Sequence, residues 1–340
     1  MQYSIGSFNL YKFSGESDEV ISKNCDVIAR IIEDEKFDVI ALQELQASTD
    51  SNPKNVLINK RLLQKLNKSF DINSNYCIWD MVGSASDSSK YHSYSEGYAF
   101  VFNKRRLRLV SNTEAEIFSG YGMSQKLVRP PLYARFTPKG LLGGGFFELR
   151  LINTHLAFGR PDPVLYSSDL EYRRKELMTI ATEIYPRIAD KRYGDNMPSY
   201  TILMGDYNLC IIGDSKIVPY NKDIVYGKAN TLISENRVLT TLQHEKSTLK
   251  QTGQPALRRS MDSDVEAYSA DIYDGEIGGV YFSQDYDHFS VDSAILERLG
   301  VSVSRIDAVE KYYYGDLAKY RREVSDHVPI KMVISFRGRS

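Results

Sequence analysis

The chain has 340 residues and carries 43 Lys and Arg against 44 Asp and Glu, a net charge of −1. A chain of this length buries a sizeable core without staples, and a prior of about 150 residues per domain suggests two domains unless one site draws on both ends. The near-neutral balance excludes a globally basic field for nucleic acid, but leaves room for a nuclease whose positive charge is local or brought by a metal.

Residues 3–10 alternate as a strand. Residues 18–35 carry Val20, Ile21, Val27, Ile28, Ile31 and Ile32 at helical spacing. Residues 37–42 form a short apolar run, a buried strand ending at Gln43-Glu44. Val56, Leu57, Leu62, Leu63 and Leu66 mark a helix over 55–66. A strand at 76–82, a polar loop at 83–95 and a strand at 98–102 follow. Strands at 132–136 and 146–153 are joined through the Pro/Gly-rich turn TPKGLLGGG. Residues 170–188 form an amphipathic helix, and 201–204 a short strand running into Gly205-Asp206. From 209 to 276 the pattern weakens. It predicts a helix over 230–243 and a polar, mobile loop over 245–264. Strands return at 279–283, 289–295, 301–306 and 329–336. Alternating strands and helices followed by a strand-rich half suit an α/β chain with two sheets face to face and helices outside.

Cys25, Cys77 and Cys210 are far apart, odd in number and without a CxxC spacing. That argues against a disulfide framework or a structural zinc. No charged leader precedes an apolar run and no 18-residue apolar stretch occurs, so the expectation is a soluble, cytoplasmic chain unless a leader has been trimmed.

Polar residues recur where strands end. Asn9 ends the first and Glu44 the second. Asn153 and His155 precede the long helix, and Asp206 and Asn208 follow Met204. Asp287 and His288 open a late strand and Asp326 and His327 the last one. Glu96 lies just before the strand at 98–102. Singly, each has a structural explanation as a cap, turn or edge residue. Together they occupy the usual position of an α/β active site. Carboxylate and amide oxygens are hard donors that suit Mg²⁺, Mn²⁺ or Ca²⁺ rather than Zn²⁺. Two histidines remain free to act as acid and base or to bind phosphate.

The ordered set S-F-N-L (7–10), L-Q-E-L (42–45), I-N-T-H-L (152–156), M-G-D-Y-N (204–208) and S-D-H-V-P-I (325–330) resembles the endonuclease/exonuclease/phosphatase family. Each motif is weak alone, but five in order over nearly the whole chain are specific. Y-S-E-G-Y-A-F-V-F (94–102) and V-R-P-P-L-Y-A-R-F (128–136) resemble segments of deoxyribonuclease I. Y-D-H-F-S-V (286–291) matches a strand shared with the abasic-site endonucleases. The resemblance implies one domain over 1–340 with a variable region at about 209–276, folded as a four-layer sandwich of two facing mixed β-sheets flanked by helices. It also implies roles. Glu44 is the principal metal ligand, with Asn9 and Asp326, for one or two Mg²⁺ or Mn²⁺ ions. Asp206 and Asn208 orient water and phosphate. His155 pairs with Glu96, and His327 with Asp287. Arg129, Tyr94 and Asn153 face the substrate.

The implied activity is metal-dependent phosphodiester hydrolysis by in-line water attack, with DNA as substrate and partner, no membrane, and a monomer by default. Lys104, Arg105, Arg106 and Lys126 offer further local positive charge, although a charge run is also what a solvated hairpin looks like. Two alternatives stand beside it. A phosphatase or phospholipase of the same fold would act on inositol phosphates or sphingomyelin, but the nearest membrane hairpin, 141–147, reads as a Gly-rich turn. A binding module that has lost its site is disfavoured because every ligand and both histidine pairs are present. The secreted enzyme's disulfides are absent here, and the interval between Asn208 and Asp287 is longer.

Overall fold

The computed structural model describes residues 1–13, 23–46, 59–69, 71–85, 96–110, 116–117, 123, 127–140, 147–158, 169–193, 197–210, 225–226, 231–234, 237–242, 244–251 and 279–336. Tyr94, the glycine-rich turn at 141–146 and much of the 209–276 region lie outside them.

The alternating N-terminal segment becomes β1 (Gln2–Phe13), followed by α1 (Cys25–Asp34), β2 (Val39–Gln46) and α2 (Lys60–Asn67). Asn24 and Asn59 cap the two helices, each side chain accepting a backbone N–H of the first turn. Then come β3 (Trp79–Ala85), β4 (Glu96–Asn103), β5 (Leu107–Leu109), β6 (Glu116–Ile117), β7 (Leu132–Pro138) and β8 (Glu148–His155). The long amphipathic segment forms α3 (Asp169–Thr179), a π turn at Ile180–Ile184 and α4 (Tyr185–Asp190). Pro186, which has no N–H to give, enters just after the π turn. Next are β9 (Ser199–Asp206), β10 (Val225–Tyr226), β11 (Thr231–Ser234), β12 (Arg237–Thr241), β13 (Thr248–Gln251), β14 (Val280–Gln284) and β15 (Asp287–Asp292). The chain ends with α5 (Ser293–Arg298), β16 (Gly300–Arg305), α6 (Ala308–Tyr313), α7 (Leu317–Glu323) and β17 (Ile330–Ser335).

Three expectations change. The helix predicted over 230–243 is the antiparallel pair β11–β12, with Ser234 opposite Arg237. Leu232, Ile233, Val238 and Leu239 fit either period over so short a run, and pairing of β12 with β15 decides for strand. The strand predicted over 289–295 stops at Asp292, whose carboxylate accepts the Ala294 N–H and starts α5. Within the expected loop at 245–264, residues 248–251 form β13, which pairs with β14.

One sheet has six strands, in the order β16-β17-β1-β2-β4-β3, and the other runs β10-β11-β12-β15-β9-β8-β7-β5 with β6 beside β7. Both are mixed, because β1–β2 and β8–β9 are parallel and the other pairs antiparallel. Their inner faces meet in one core of Ile5, Val39, Phe100, Ala134, Leu149, Ile202, Phe289 and Met332. A second core packs α1, α2, α6 and α7 on the outside of the first sheet, through Ile28, Ile32, Leu62, Leu66, Val309 and Tyr320. A third packs α3, the π turn and α4 on the second, through Leu177, Ile184, Tyr185 and Leu203. Helix, sheet, sheet and helix are thus the four layers. Among the described residues no helix is long and apolar enough to cross a membrane.

Candidate active site

Strand direction brings distant residues to one edge. The carboxyl ends of β1 and β2 lie side by side, with Asn9 opposite Gln43. Strands β4 and β17 run the other way, so their amino ends reach the same edge, and Gln46 pairs with Glu96. In the facing sheet, Asp206 pairs with both His155 and Asp287. Asp326 and His327 directly precede β17 and are held by Leu249, whose N–H donates to the Asp326 carbonyl, and by a bridge from Thr248 to His327.

The backbone is bent at this edge. The pairing of β1 with β2 shifts register between Asn9 and Phe13, and that of β2 with β4 shifts between Leu42 and Leu45. Glu44 sits inside the second bulge with φ 57°, an uncommon conformation for a glutamate that turns its carboxylate out of the strand's alternation. The Lys12 N–H donates to its Oε2. Gly205 has φ +136° and lies so close to β8 that a Cβ would stand 1.8 Å from the Thr154 carbonyl oxygen. The position therefore requires glycine, and the close approach aligns Asp206 with His155.

Asp206 is the hub. Its Oδ2 accepts from Asn9 Nδ2 at 3.0 Å and lies 3.6 Å from both His155 Nε2 and His327 Nε2. Its Oδ1 accepts the Asn208 N–H, while Asn208 itself, in the left-handed region, donates to the Leu156 carbonyl.

Each histidine is backed by a carboxylate. His327 Nδ1 is 2.7 Å from Asp287 Oδ2, which also accepts from Ser247 Oγ. The carboxylate keeps the proton on Nδ1 and aims Nε2 at Asp206. Burial alone would lower the His327 pKa, but Asp287, Asp206 and Asp326 together raise it well above the ordinary imidazole value. His155 Nδ1 stands 3.4 Å from Glu96 Oε2, and Nε2 faces Glu44 at 3.8 Å. The Tyr98 hydroxyl accepts the His155 backbone N–H.

Two expected substrate contacts take other positions. Arg129 is only 5% exposed and lies behind the site. Its Nε is 2.6 Å from Glu96 Oε2, Nη2 donates to Oε1, and Nη1 donates to the Leu156 carbonyl. Asn153 is fully buried between the sheets. It accepts from Gln43 Nε2 and donates to the Leu42 and Ala99 carbonyls, pinning the β2 bulge. Sequence reasoning missed Tyr98, Ser247, Gln43 and Ser325, whose Oγ donates to the Asn9 carbonyl and accepts the His327 N–H. Gln43 and Ser325 sit inside the quoted motifs and were open to notice. Tyr98 likewise lies inside the quoted segment 94–102, and only Ser247 carried no such signal.

The donor chemistry fits a hard cation. Asp326 Oδ1 is buried without a hydrogen-bond partner. Burial pushes the Asp326 carboxyl up to about 6, with His327 opposing and Glu44 adding to the rise. A cation beside Glu44 and Asp326 would supply the partner that Asp326 Oδ1 lacks. Asn9 offers less than expected, since its Oδ1 accepts the Tyr11 N–H and its Nδ2 spans Glu44 and Asp206. Among the described residues no three His, Cys, Asp or Glu side chains are placed to hold a metal. Beside these carboxylates, Lys12, Lys23 and Arg321 surround the Tyr11 ring at 5.4, 5.0 and 5.9 Å. Lys23 is buried and Arg321 stands 3.9 Å from Asp326, so these cations lie among the site's carboxylates.

His288 faces away from the site into the interior, with Nε2 2.8 Å from the Leu209 carbonyl. Burial, reinforced by His244, pushes its pKa down to about 3. The unfolded chain therefore takes up a proton near pH 6.5 that the folded chain refuses. Stability should be complete above about pH 6.5 and fall by roughly 1.4 kcal/mol per pH unit as pH drops toward 3. Urea unfolding at pH 7, 5.5 and 4.5 should show this slope, and His288→Gln should flatten it. An equal slope in both proteins would place the acid sensitivity elsewhere.

No protein-family model matches the sequence, and no curated protein does. Solved structures match along the whole chain. An endonuclease/exonuclease/phosphatase protein from Bacteroides vulgatus is 13% identical, with 99% of this chain and 100% of that one covered and a TM-score of 0.51. TDP2 from D. rerio, complexed with a single-strand DNA product, is 16% identical over 98% and 99%, with a TM-score of 0.50. With two facing mixed sheets and outer helices, the chain has the deoxyribonuclease I-like fold of the endonuclease/exonuclease/phosphatase proteins.

Proposed function

We propose that the protein is a divalent-metal-dependent phosphodiester hydrolase, and specifically an endonuclease that cleaves DNA by in-line attack of water. The observation that carries this reading is the pair of carboxylate-backed imidazoles whose Nε2 atoms both face Asp206 at 3.6 Å. Hydrolysis of a phosphodiester needs a proton acceptor for water, a donor for the leaving oxygen and positive charge for the phosphoryl oxygens.

His327, held toward its charged form by Asp287, Asp206 and Asp326, supplies a proton or binds a phosphoryl oxygen. His155, whose partner Glu96 is already neutralised by Arg129, is left to take the proton from water. Asp206 and Asn208 orient that water and the phosphate. Glu44 and Asp326, steadied by Asn9, would hold Mg²⁺ or Mn²⁺, which supplies charge to offset that of the phosphoryl group when bound. DNA is favoured by the Lys12, Lys23 and Arg321 cations gathered around Tyr11 beside the site and by a fold neighbour solved with a single-strand DNA product.

The test is one panel: supercoiled plasmid, linear duplex, single strands, RNA, a chromogenic diester, inositol phosphates and sphingomyelin vesicles. Each is incubated with Mg²⁺ or Mn²⁺, with and without excess EDTA. Plasmid nicking and diester hydrolysis are expected with metal, none in chelator, and recovery when metal is returned. Full activity in chelator would overturn the metal dependence. Inositol phosphate or sphingomyelin turnover without DNA cleavage would move the enzyme to the phosphatase or phospholipase class.

A further inference from the structure

Phe158 is 54% exposed, three residues beyond His155 on the chain leaving β8. Of the exposed large apolar side chains among the described residues, it alone directly follows a strand ending in a site residue. Its position is fixed from beneath by α3. Glu176 accepts the N–H of Ala157, the residue before Phe158, and that of Val128, the residue before Arg129. The aromatic ring is therefore held out on a pinned backbone.

Arg173 of the same helix lies 5.4 Å from that ring. It is 8% exposed, and its buried Nε has no hydrogen-bond partner. No ion pair engages it among the described residues. A nearly buried guanidinium without an anion is costly and calls for a ligand. An arginine packed against a ring still has its N–H edges available, and those edges match phosphate.

We propose that Phe158 and Arg173 form a nucleotide subsite beside the scissile position, where Phe158 stacks on an unpaired base, Arg173 takes an adjoining phosphate, and single-stranded substrate is preferred. The inference rests on the nuclease reading above. Base stacking on a protein aromatic needs a base that is not already stacked within a duplex, which single strands provide. Phe158 stands with an arginine beneath it, an arrangement for a ring with a charged backbone.

The test compares wild type, Phe158→Ala, Phe158→Tyr and Arg173→Gln as full chains with metal. Substrates are a single-stranded oligonucleotide, its duplex and the chromogenic diester. Wild type should have a higher kcat/KM on the single strand than on the duplex. Phe158→Ala should raise KM for the single strand about tenfold or more, with the diester unchanged and Phe158→Tyr close to wild type. Arg173→Gln should weaken single-strand binding at low salt and make it less salt-sensitive. Phe158 is exposed, so its alanine variant should fold, and thermal melts check Arg173→Gln.

Fluorescence anisotropy of a labelled single strand in EDTA reads the subsite apart from catalysis. If wild type hydrolyses no diester yet Phe158→Ala weakens binding, the nuclease reading fails and the subsite stands. An unchanged KM and unchanged anisotropy in Phe158→Ala, or equal loss on single strand, duplex and diester, overturns the subsite.

Discussion

His327→Ala is expected to lower kcat by a factor of about 10² or more on plasmid and small diester alike. The geometry gives the reason. Its Nε2 is one of two imidazole nitrogens facing Asp206, and its Nδ1 is committed to Asp287. Asp287→Asn should act on the same step, because an amide no longer fixes the Nδ1 proton or supports the charged ring. The two groups work as a unit, so the double variant should be scarcely slower than either single one. Losing His327 leaves the buried Asp287 carboxylate with Ser247 Oγ. A stability loss of a few kcal/mol should accompany the rate loss, and kinetics belong well below the melting temperature. Asp292 is the control. It caps α5, so Asp292→Ala should cost about 1 kcal/mol of stability and leave kcat alone. A near-wild-type rate for His327→Ala would place the proton donor and phosphate contact on other residues.

The convergence of polar residues at one edge was legible because they fall in short motifs at strand ends. Asn9, Glu44, His155, Asp206, Asp326 and His327 each stand beside an apolar run whose period gives the strand. The alternation suited two facing sheets with helices outside, and the four-layer sandwich followed from the resemblance those motifs carry. Less was legible where partners are remote. Leu232, Ile233, Val238 and Leu239 suit a helix or a strand, and only the pairing of β12 with β15 settles it. Asn153 looks like a strand-end polar group, yet its partners Gln43, Leu42 and Ala99 lie 54 to 111 residues away. Ser247 lies in a polar stretch without periodicity, 40 residues from the carboxylate it bonds. No local pattern encodes such contacts, because the topology alone brings them together. Glu44 is intermediate. Its motif was visible, but the bulge and positive φ that turn it outward were not.

Arg129→Ala is expected to slow plasmid nicking and small-diester hydrolysis to the same degree, and to destabilise the protein by about 3–5 kcal/mol. In sequence, Arg129 stands before two prolines in a segment that resembles a DNA-facing strand, which implies loss on polymeric substrate only. The structure places it differently. The guanidinium is buried against Glu96 and bonds the Leu156 carbonyl, so no edge of it is offered to an open groove. Its charge pairs with the buried Glu96 carboxylate, and Glu96 in turn faces His155 Nδ1. Removing Arg129 strands the Glu96 carboxylate and lets the imidazole turn, a change every substrate meets equally. Arg129→Lys should rescue little, since one ammonium cannot reproduce contacts to both Glu96 oxygens and a carbonyl. Double variants with Glu96→Gln should regain stability, because no buried charge is left unpaired, without regaining rate. The salt dependence of DNA binding should match wild type in all of them. If Arg129→Ala loses only plasmid nicking, and its binding becomes less salt-sensitive, then the guanidinium leaves Glu96 to meet a phosphate when substrate arrives.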